Sequence, residues 1–276
     1  MVSFGVSSMF FHEYTTPEIF SFIERANLDA IEFWLETPHF WLRGLPVDEV
    51  IACQREDPHI STVTVHAPVL DLNPCSLNPE VAEVSIGYAV RSIGIAEALG
   101  AKVITVHPGR RTARREPGAA DRVRFARYLS VLRDEALKND LRVARAAMEN
   151  MEPAINSLLS TPERMRAVLD EEPWLSFTFD TSHALAGSED VAMQYIELCA
   201  DRMVNVHISR IEGKTLHCPL DRSPVISRIL TALKDHHFKG SLTIEIEDLI
   251  FNRVLSSDEK IGVLARDASF LHECMD

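Results

Sequence analysis

The chain is poor in the features that most readily announce a function. It has five cysteines, an odd number scattered at Cys53, Cys75, Cys199, Cys218 and Cys274 with no CxxC pair. That pattern excludes a disulfide framework and a cysteine zinc knuckle, and it reads as reduced thiols in a cytoplasm. No apolar run approaches the length of about 18 residues that a membrane helix needs. The apolar start Met1–Phe11 has no basic region before it and runs straight into His12-Glu13, so it reads as a first strand rather than a signal peptide. Glycine is sparse where a phosphate loop would need it: Gly5 stands alone after the first strand-like run. Basic charge is scarce as well. A formal net charge of −13 argues against a broad nucleic-acid-binding face, although a local basic patch could still do that work. No linker, low-complexity tract or domain boundary interrupts the 276 residues, which reads as one domain over 1–276.

What the chain does have is regular alternation. Strand-like runs lie at Val2–Ser8, Ala30–Trp34, Ser61–Ala67, Lys102–His107, Arg142–Glu149, Leu175–Asp180, Met203–Ser209 and Ser241–Glu247, each separated by enough chain for a helix and two loops. Thr16-Pro17, Asn78-Pro79, Thr161-Pro162 and Ser223-Pro224 pair a capping residue with a proline at the first helical position. Ser256 and Glu259 fit a capping box for the last helix. Val81–Leu99 is helical in period and stops at Gly100. Eight strands with eight helices are the arithmetic of an α/β protein of the (β/α)8 TIM-barrel class.

The ends of those strands carry the chemistry. Of eleven histidines, five (His66, His107, His183, His207 and His217) fall at or just past a strand end, where Glu149, Asp180 and Glu245 also fall. Two residues back along each strand, the same face carries Thr64, Thr105, Ala147, Thr178, Asn205 and Thr243, all small or polar. The intervening residues, such as Phe177, Phe179, Val204 and Val206, are apolar and face the helices. The eight charged or imidazole groups therefore converge at one end of one pore, with hydroxyls beneath them suited to orienting metal ligands. Two carboxylates packed within a few ångströms repel by about 4 kcal/mol at an effective dielectric of 20. A divalent cation relieves that repulsion, and mixed imidazole and carboxylate donors suit zinc, manganese, cobalt or iron(II). Any one of these histidines alone would read as a hydrogen-bonded core residue; the set reads as a metal site.

Three further features stand out. Trp34–Trp41 is an aromatic-rich loop after the second strand, readable either as local packing or as a cover over a substrate. Gly109–Glu116 places four arginines after the fourth strand, as a solvated loop or, at Arg110 and Arg111, as a phosphate-binding one. Arg145 shares the inward face of the fifth strand with Glu149 and would need a buried partner such as Glu32.

The ordered set His66-Ala-Pro, Ala98-Leu-Gly-Ala-Lys, His107-Pro-Gly, Glu149-Asn, Asp180-Thr-Ser-His183, Val206-His-Ile-Ser and Thr243-Ile-Glu-Ile resembles the xylose-isomerase-like TIM-barrel superfamily along nearly the whole chain. That superfamily includes sugar isomerases and epimerases and the endonuclease IV type of abasic-site nuclease. The resemblance implies that Glu149, Asp180, His207 and Glu245 hold one metal, and that His66 and His107, with Glu149 as a bridge, complete a second site in the nuclease branch. The third nuclease site needs a His, an Asp and a His. His183 and His217 match, but Thr215 stands where the Asp belongs, and Cys218-Pro-Leu-Asp-Arg lacks the glycine that usually follows. One or two ions are therefore implied rather than three.

Three functions follow as expectations. In a metal-dependent sugar or sugar-phosphate isomerase or epimerase, Glu149 and Glu245 would be base and acid on opposite faces of the carbon beside the carbonyl. His183 and His217 would contact the substrate, with Arg110 and Arg111 on a phosphate. In an abasic-site endonuclease with a zinc cluster, a metal-activated water would attack phosphorus on a nucleic acid; Thr215 and the acidic balance speak against it. A metal-holding barrel that binds a metabolite without turnover comes third.

Overall fold

Alternating strand and helix signals are realised as a closed parallel barrel. The computed structural model describes residues 2–36, 46–138 and 145–275. Eight strands form the wall: β1 (Ser3–Ser7), β2 (Ala30–Trp34), β3 (Thr62–His66), β4 (Val103–Val106), β5 (Arg145–Glu149), β6 (Ser176–Asp180), β7 (Met203–Ile208) and β10 (Ser241–Ile244). They pair in the order β1-β10-β7-β6-β5-β4-β3-β2 and close on β1. A two-stranded hairpin, β8 (Arg210–Glu212) and β9 (Thr215–Cys218), is inserted after β7. No strand was expected there; its residues extend the chain across the barrel mouth.

Helices α1 (Thr16–Arg25), α2 (Val47–Glu56), α3 (Pro79–Ala98), α4 (Ala119–Lys138), α5 (Pro162–Glu171), α6 (Thr181–Leu185), α7 (Glu189–Cys199), α8 (Pro224–Asp235) and α9 (Ser257–Met275) surround the wall. Their start signals are used nearly as expected. Asn78 and Thr161 cap α3 and α5, and Ser256 and Glu259 bond reciprocally before α9. For α1 the cap is Thr15, one residue earlier than Thr16, because Glu18 reaches back to the Thr15 amide. Gly100 ends α3 with φ +65°. Among the described residues no helix is long and apolar enough to cross a membrane.

Register separates the two faces of the wall. Phe177 and Phe179 point outward and pack on Tyr195 of α7, with ring centroids 5.8 and 5.9 Å apart. The inward layer is polar and joined. Thr105 and Thr178 hydroxyls lie 2.9 Å apart, Thr243 donates to Asn205 at 3.0 Å, and Thr64 and Asn205 both donate to Glu32.

Arg145 departs from the expectation of a buried cation. It is the first residue of β5, at the barrel foot, and its side chain is exposed. Four residues of strand put it about 13 Å from Glu149, so water solvates it and no internal partner is required. Glu32 is free for another task. The aromatic loop expected over Trp34–Trp41 lies, from residue 37 onward, outside the described residues.

One glycine is required by close approach. A Cβ on Gly240, just before β10, would lie 2.2 Å from the Val204 carbonyl oxygen of β7. Gly240→Ala should therefore destabilise the fold by about 3 kcal/mol, as overpacking against backbone does. Urea denaturation would show it, and an unchanged midpoint would mean that β10 can shift from β7 at no cost.

Candidate metal centre

Six of the wall strands, β3 to β7 and β10, deliver a polar side chain to the mouth at or near their ends. At the end of β3, His66 donates from Nδ1 to the Ala67 carbonyl at 2.8 Å. This fixes the tautomer, so Nε2 faces the pore with its lone pair. There it lies 3.2 Å from His107 Nε2 and 3.4 Å from Glu149 Oε2. His107, one residue past β4, brings its Nε2 to 2.8 Å from the same Glu149 oxygen. The other Glu149 oxygen is 3.3 Å from His207 Nδ1 and 3.5 Å from His183 Nδ1. Glu149 is thus the hub on which four imidazoles converge.

Asp180 is divided between two tasks. It caps the short helix α6, its Oδ1 accepting from the His183 amide at 2.6 Å and from Ser182 Oγ at 3.0 Å. Asn150 grips its backbone in both directions, at 2.8 and 2.9 Å. With Oδ1 and the main chain held, Oδ2 is left buried and without a hydrogen bond. Glu245 follows β10, with its amide bonded to the Ile208 carbonyl of β7, and its Oε2 reaches 3.1 Å from His207 Nδ1. The hairpin supplies His217, held at φ +53°, whose Nδ1 is 3.6 Å from Glu245 and 3.9 Å from Asp180.

Glu32, read from the sequence as a partner for Arg145, lies instead against the candidate site. It is fully buried, with Oε1 2.8 Å from His207 Nε2 and Oε2 accepting from Thr64 at 3.0 Å and Asn205 at 2.8 Å. The small hydroxyl layer therefore acts on the mouth indirectly, by holding Glu32, which in turn orients His207. The available signal was a carboxylate in register with Thr64 inside the otherwise apolar run of β2.

Charges in this space are strongly coupled. Burial opposes ionisation of Glu149, but the imidazoles of His107 and His207 outweigh it and hold the carboxyl well below the usual range. Glu245 behaves likewise, with burial overcome chiefly by His207. Asp180 differs: burial, with Glu245 and Glu149 adding repulsion, pushes it up to about 6 despite His183 and His217. Burial lowers the basicity of His183, yet Asp180 and Glu149 raise it to about 9. Burial prevails at His107, which is lowered, whereas at His207 the neighbouring carboxylates prevail over burial and raise it well above the usual value.

Donor atoms of Glu149, Asp180, His207 and Glu245 lie within 4.8 Å of one another, and His66, Glu149 and His207 form a second such group. Asp180 Oδ2, Glu245 Oε2 and His207 Nδ1 are buried without a hydrogen bond, and so is Glu149 Oε2 on the side of His66 and His107. Orphaned buried donors of mixed N and O type in groups this tight fit a divalent ion. Asp180, His183 and His217 form a third group, while Thr215 is exposed on the hairpin and contributes nothing to it. A fourth group, His12, Glu13 and Asp248, already has its cation: Lys260 Nζ is 2.6 Å from Glu13 and 3.4 Å from Asp248.

Of the two arginines proposed for the rim, Arg111 is engaged, its Nη1 bonded to Asp121 at 3.1 Å and to the Glu116 carbonyl at 2.7 Å. Arg110 is exposed, with its backbone clamped by Asn73 and bridged to Ser157. Its guanidinium makes no ion pair among the described residues.

A family model for the xylose isomerase-like TIM barrel matches residues 20–271. The chain belongs to that family. An uncharacterised protein of Methanocaldococcus jannaschii is 31% identical to it over 98% of each chain. A probable endonuclease 4 of Staphylococcus carnosus is 30% identical over 127 residues, 45% of this chain and 40% of the other. Among solved structures, L-ribulose 3-epimerase superposes with a TM-score of 0.79 at 17% identity, covering 100% of this chain and 95% of that one. Membership of the family is thus shown along the chain, and the likeness to the epimerase is one of fold.

Proposed function

We propose that the protein is a divalent-metal-dependent isomerase or epimerase of a sugar or sugar phosphate. The observation that carries this reading is the approach of two buried carboxylates, Glu149 and Glu245, to one imidazole, at 3.3 and 3.1 Å from His207 Nδ1. Two carboxylates at one buried point can take a proton from carbon and return it. A bound divalent ion would supply Lewis-acid stabilisation of the negative charge that develops on the neighbouring oxygen. Glu149, Asp180, His207 and Glu245 would hold it, and His66 and His107 are placed for a second ion.

The rest of the work falls to the chain. Glu149 and Glu245 hold and transfer the proton at the carbon beside the carbonyl. His183, its Nδ1 committed to the Asn150 carbonyl at 2.9 Å, presents Nε2 to a substrate hydroxyl, and His217 lies beside it with ring centroids 5.3 Å apart. Arg110, exposed at the rim, is the residue we assign to a substrate phosphate. Burial of the ligand set keeps bulk water from the carbanion-like centre.

The test is to incubate manganese-, cobalt- or zinc-loaded protein with ketoses and their phosphates in D2O. Deuterium should enter the carbon beside the carbonyl, with the epimer or aldose as product. Incision of an abasic-site duplex without such exchange would overturn the reading. That second reading is favoured by one observation: His66 and His107 both approach Glu149, in the pattern expected of the nuclease branch. Elemental analysis separates the two, because three zinc ions per chain would favour the nuclease and one ion sugar chemistry.

A further inference from the structure

On the outer wall of the barrel, α4 and α5 follow one another in the chain yet barely touch, whereas α3 packs on α4 and α5 on α7. Between them lies a cavity of about 360 Å³. Its volume is in the range of small-molecule sites. Phe125, Leu129, Leu158 and Leu159 line it and are themselves buried against the main core. Ala126 of α4 and Ala167 of α5 also line it, and both are exposed. Small residues at these two positions keep the cleft open, since a larger side chain on either helix would fill it.

The two ends of the cleft differ in charge. Arg122 and Arg164 stand in the first turns of α4 and α5, at the same end of the cleft, and both are exposed. Neither makes an ion pair among the described residues. In the same quarter of the molecule Arg111, Arg124, Arg127 and Arg133 are all paired with carboxylates. At the far end Glu172 already accepts from Trp174 and pairs with Arg133, and Glu171 stands beside it. An anion is therefore repelled from one end and drawn to the other, and both helix N-termini add positive potential at the arginine end.

We propose that this cleft binds a small amphipathic anion, with a carboxylate or phosphate head between Arg122 and Arg164 and an apolar body over Phe125, Leu129, Leu158 and Leu159. None of the residues lining the cleft belongs to the metal-ligand groups, and the proposal does not depend on the reaction performed at the mouth.

Calorimetric titration of the whole protein with octyl phosphate, octanoate and inorganic phosphate tests it. Octyl phosphate or octanoate should bind saturably at one site per chain. Which of the two binds more tightly identifies the head group, and either one supports the site. The double variant Arg122→Gln, Arg164→Gln should weaken binding by about ten-fold or more, as loss of charge-assisted hydrogen bonds does. Ala126→Trp should abolish it by filling the cleft, with Ala167→Phe as the second blocking variant if the first fails to fold. Absence of saturable binding by both amphiphiles overturns the proposal. So does equal affinity for inorganic phosphate, which would mean a surface anion patch, or binding that survives in a folded cleft-filled variant.

Discussion

Replacing Glu149 with Gln is expected to abolish turnover while leaving the barrel intact. The substitution changes little volume, so the wall of β5 and its pairing with β4 and β6 should stand. It removes the one charge that His66, His107, His183 and His207 all approach within 3.5 Å. Loss of a positioned base alone lowers rates by about 10²–10⁴-fold. Here the same carboxylate is also a metal donor, so both functions fail together, and the effect should reach the upper end of that range. Metal affinity should fall in parallel, read by equilibrium dialysis, with the far-UV circular dichroism unchanged. Full turnover by Glu149→Gln would show that this residue is neither the shared ligand nor the base.

The fold and the mouth were legible for one physical reason: side chains on a strand alternate with period two. Knowing that Phe177 and Phe179 face the helices places Thr178 and Asp180 in the pore, and the same step applied to each strand assembles His66, Glu149, His207 and the residues beneath them. What that rule cannot supply is position along the strand in space. Arg145 and Glu149 share a face, yet one sits at the solvated foot and the other at the buried mouth. Partner choice is equally hidden. Arg111 looked available in a run of four arginines, but Asp121 from α4 reaches it, a contact set only by how the helix docks. His217 reaches the mouth because a hairpin folds back over α6, and no periodicity announces a hairpin that short.

Glu32 carries the second large expected effect, and the reasoning turns on a hydrogen-bond count. Its Oε2 accepts from Thr64 Oγ1 and from Asn205 Nδ2, and the second is an obligate donor because Asn205 Oδ1 accepts from Thr243. Its Oε1 lies 2.8 Å from His207 Nε2 as an ion pair, without the alignment of a hydrogen bond. A carboxylate can accept from all three, so that when a cation displaces a proton from His207 it leaves from Nδ1 and the proton on Nε2 stays. Glu32→Gln cannot do so. Its carbonyl oxygen must serve Asn205, so its amide NH2 must face His207, which then holds its proton on Nδ1 and offers no lone pair to the mouth. Supporting groups of this kind change metal affinity by about 10–100-fold when altered, and a forced change of tautomer should lie at the high end. Nitrogen-15 NMR of the imidazole would report the tautomer, and metal titration the affinity. Glu32→Ala should instead damage the fold, because a buried network that loses one charged partner is destabilised by about 3–5 kcal/mol. Unchanged metal affinity in Glu32→Gln, with the proton still on Nε2, would remove Glu32 from the site and leave it a structural group of the barrel interior.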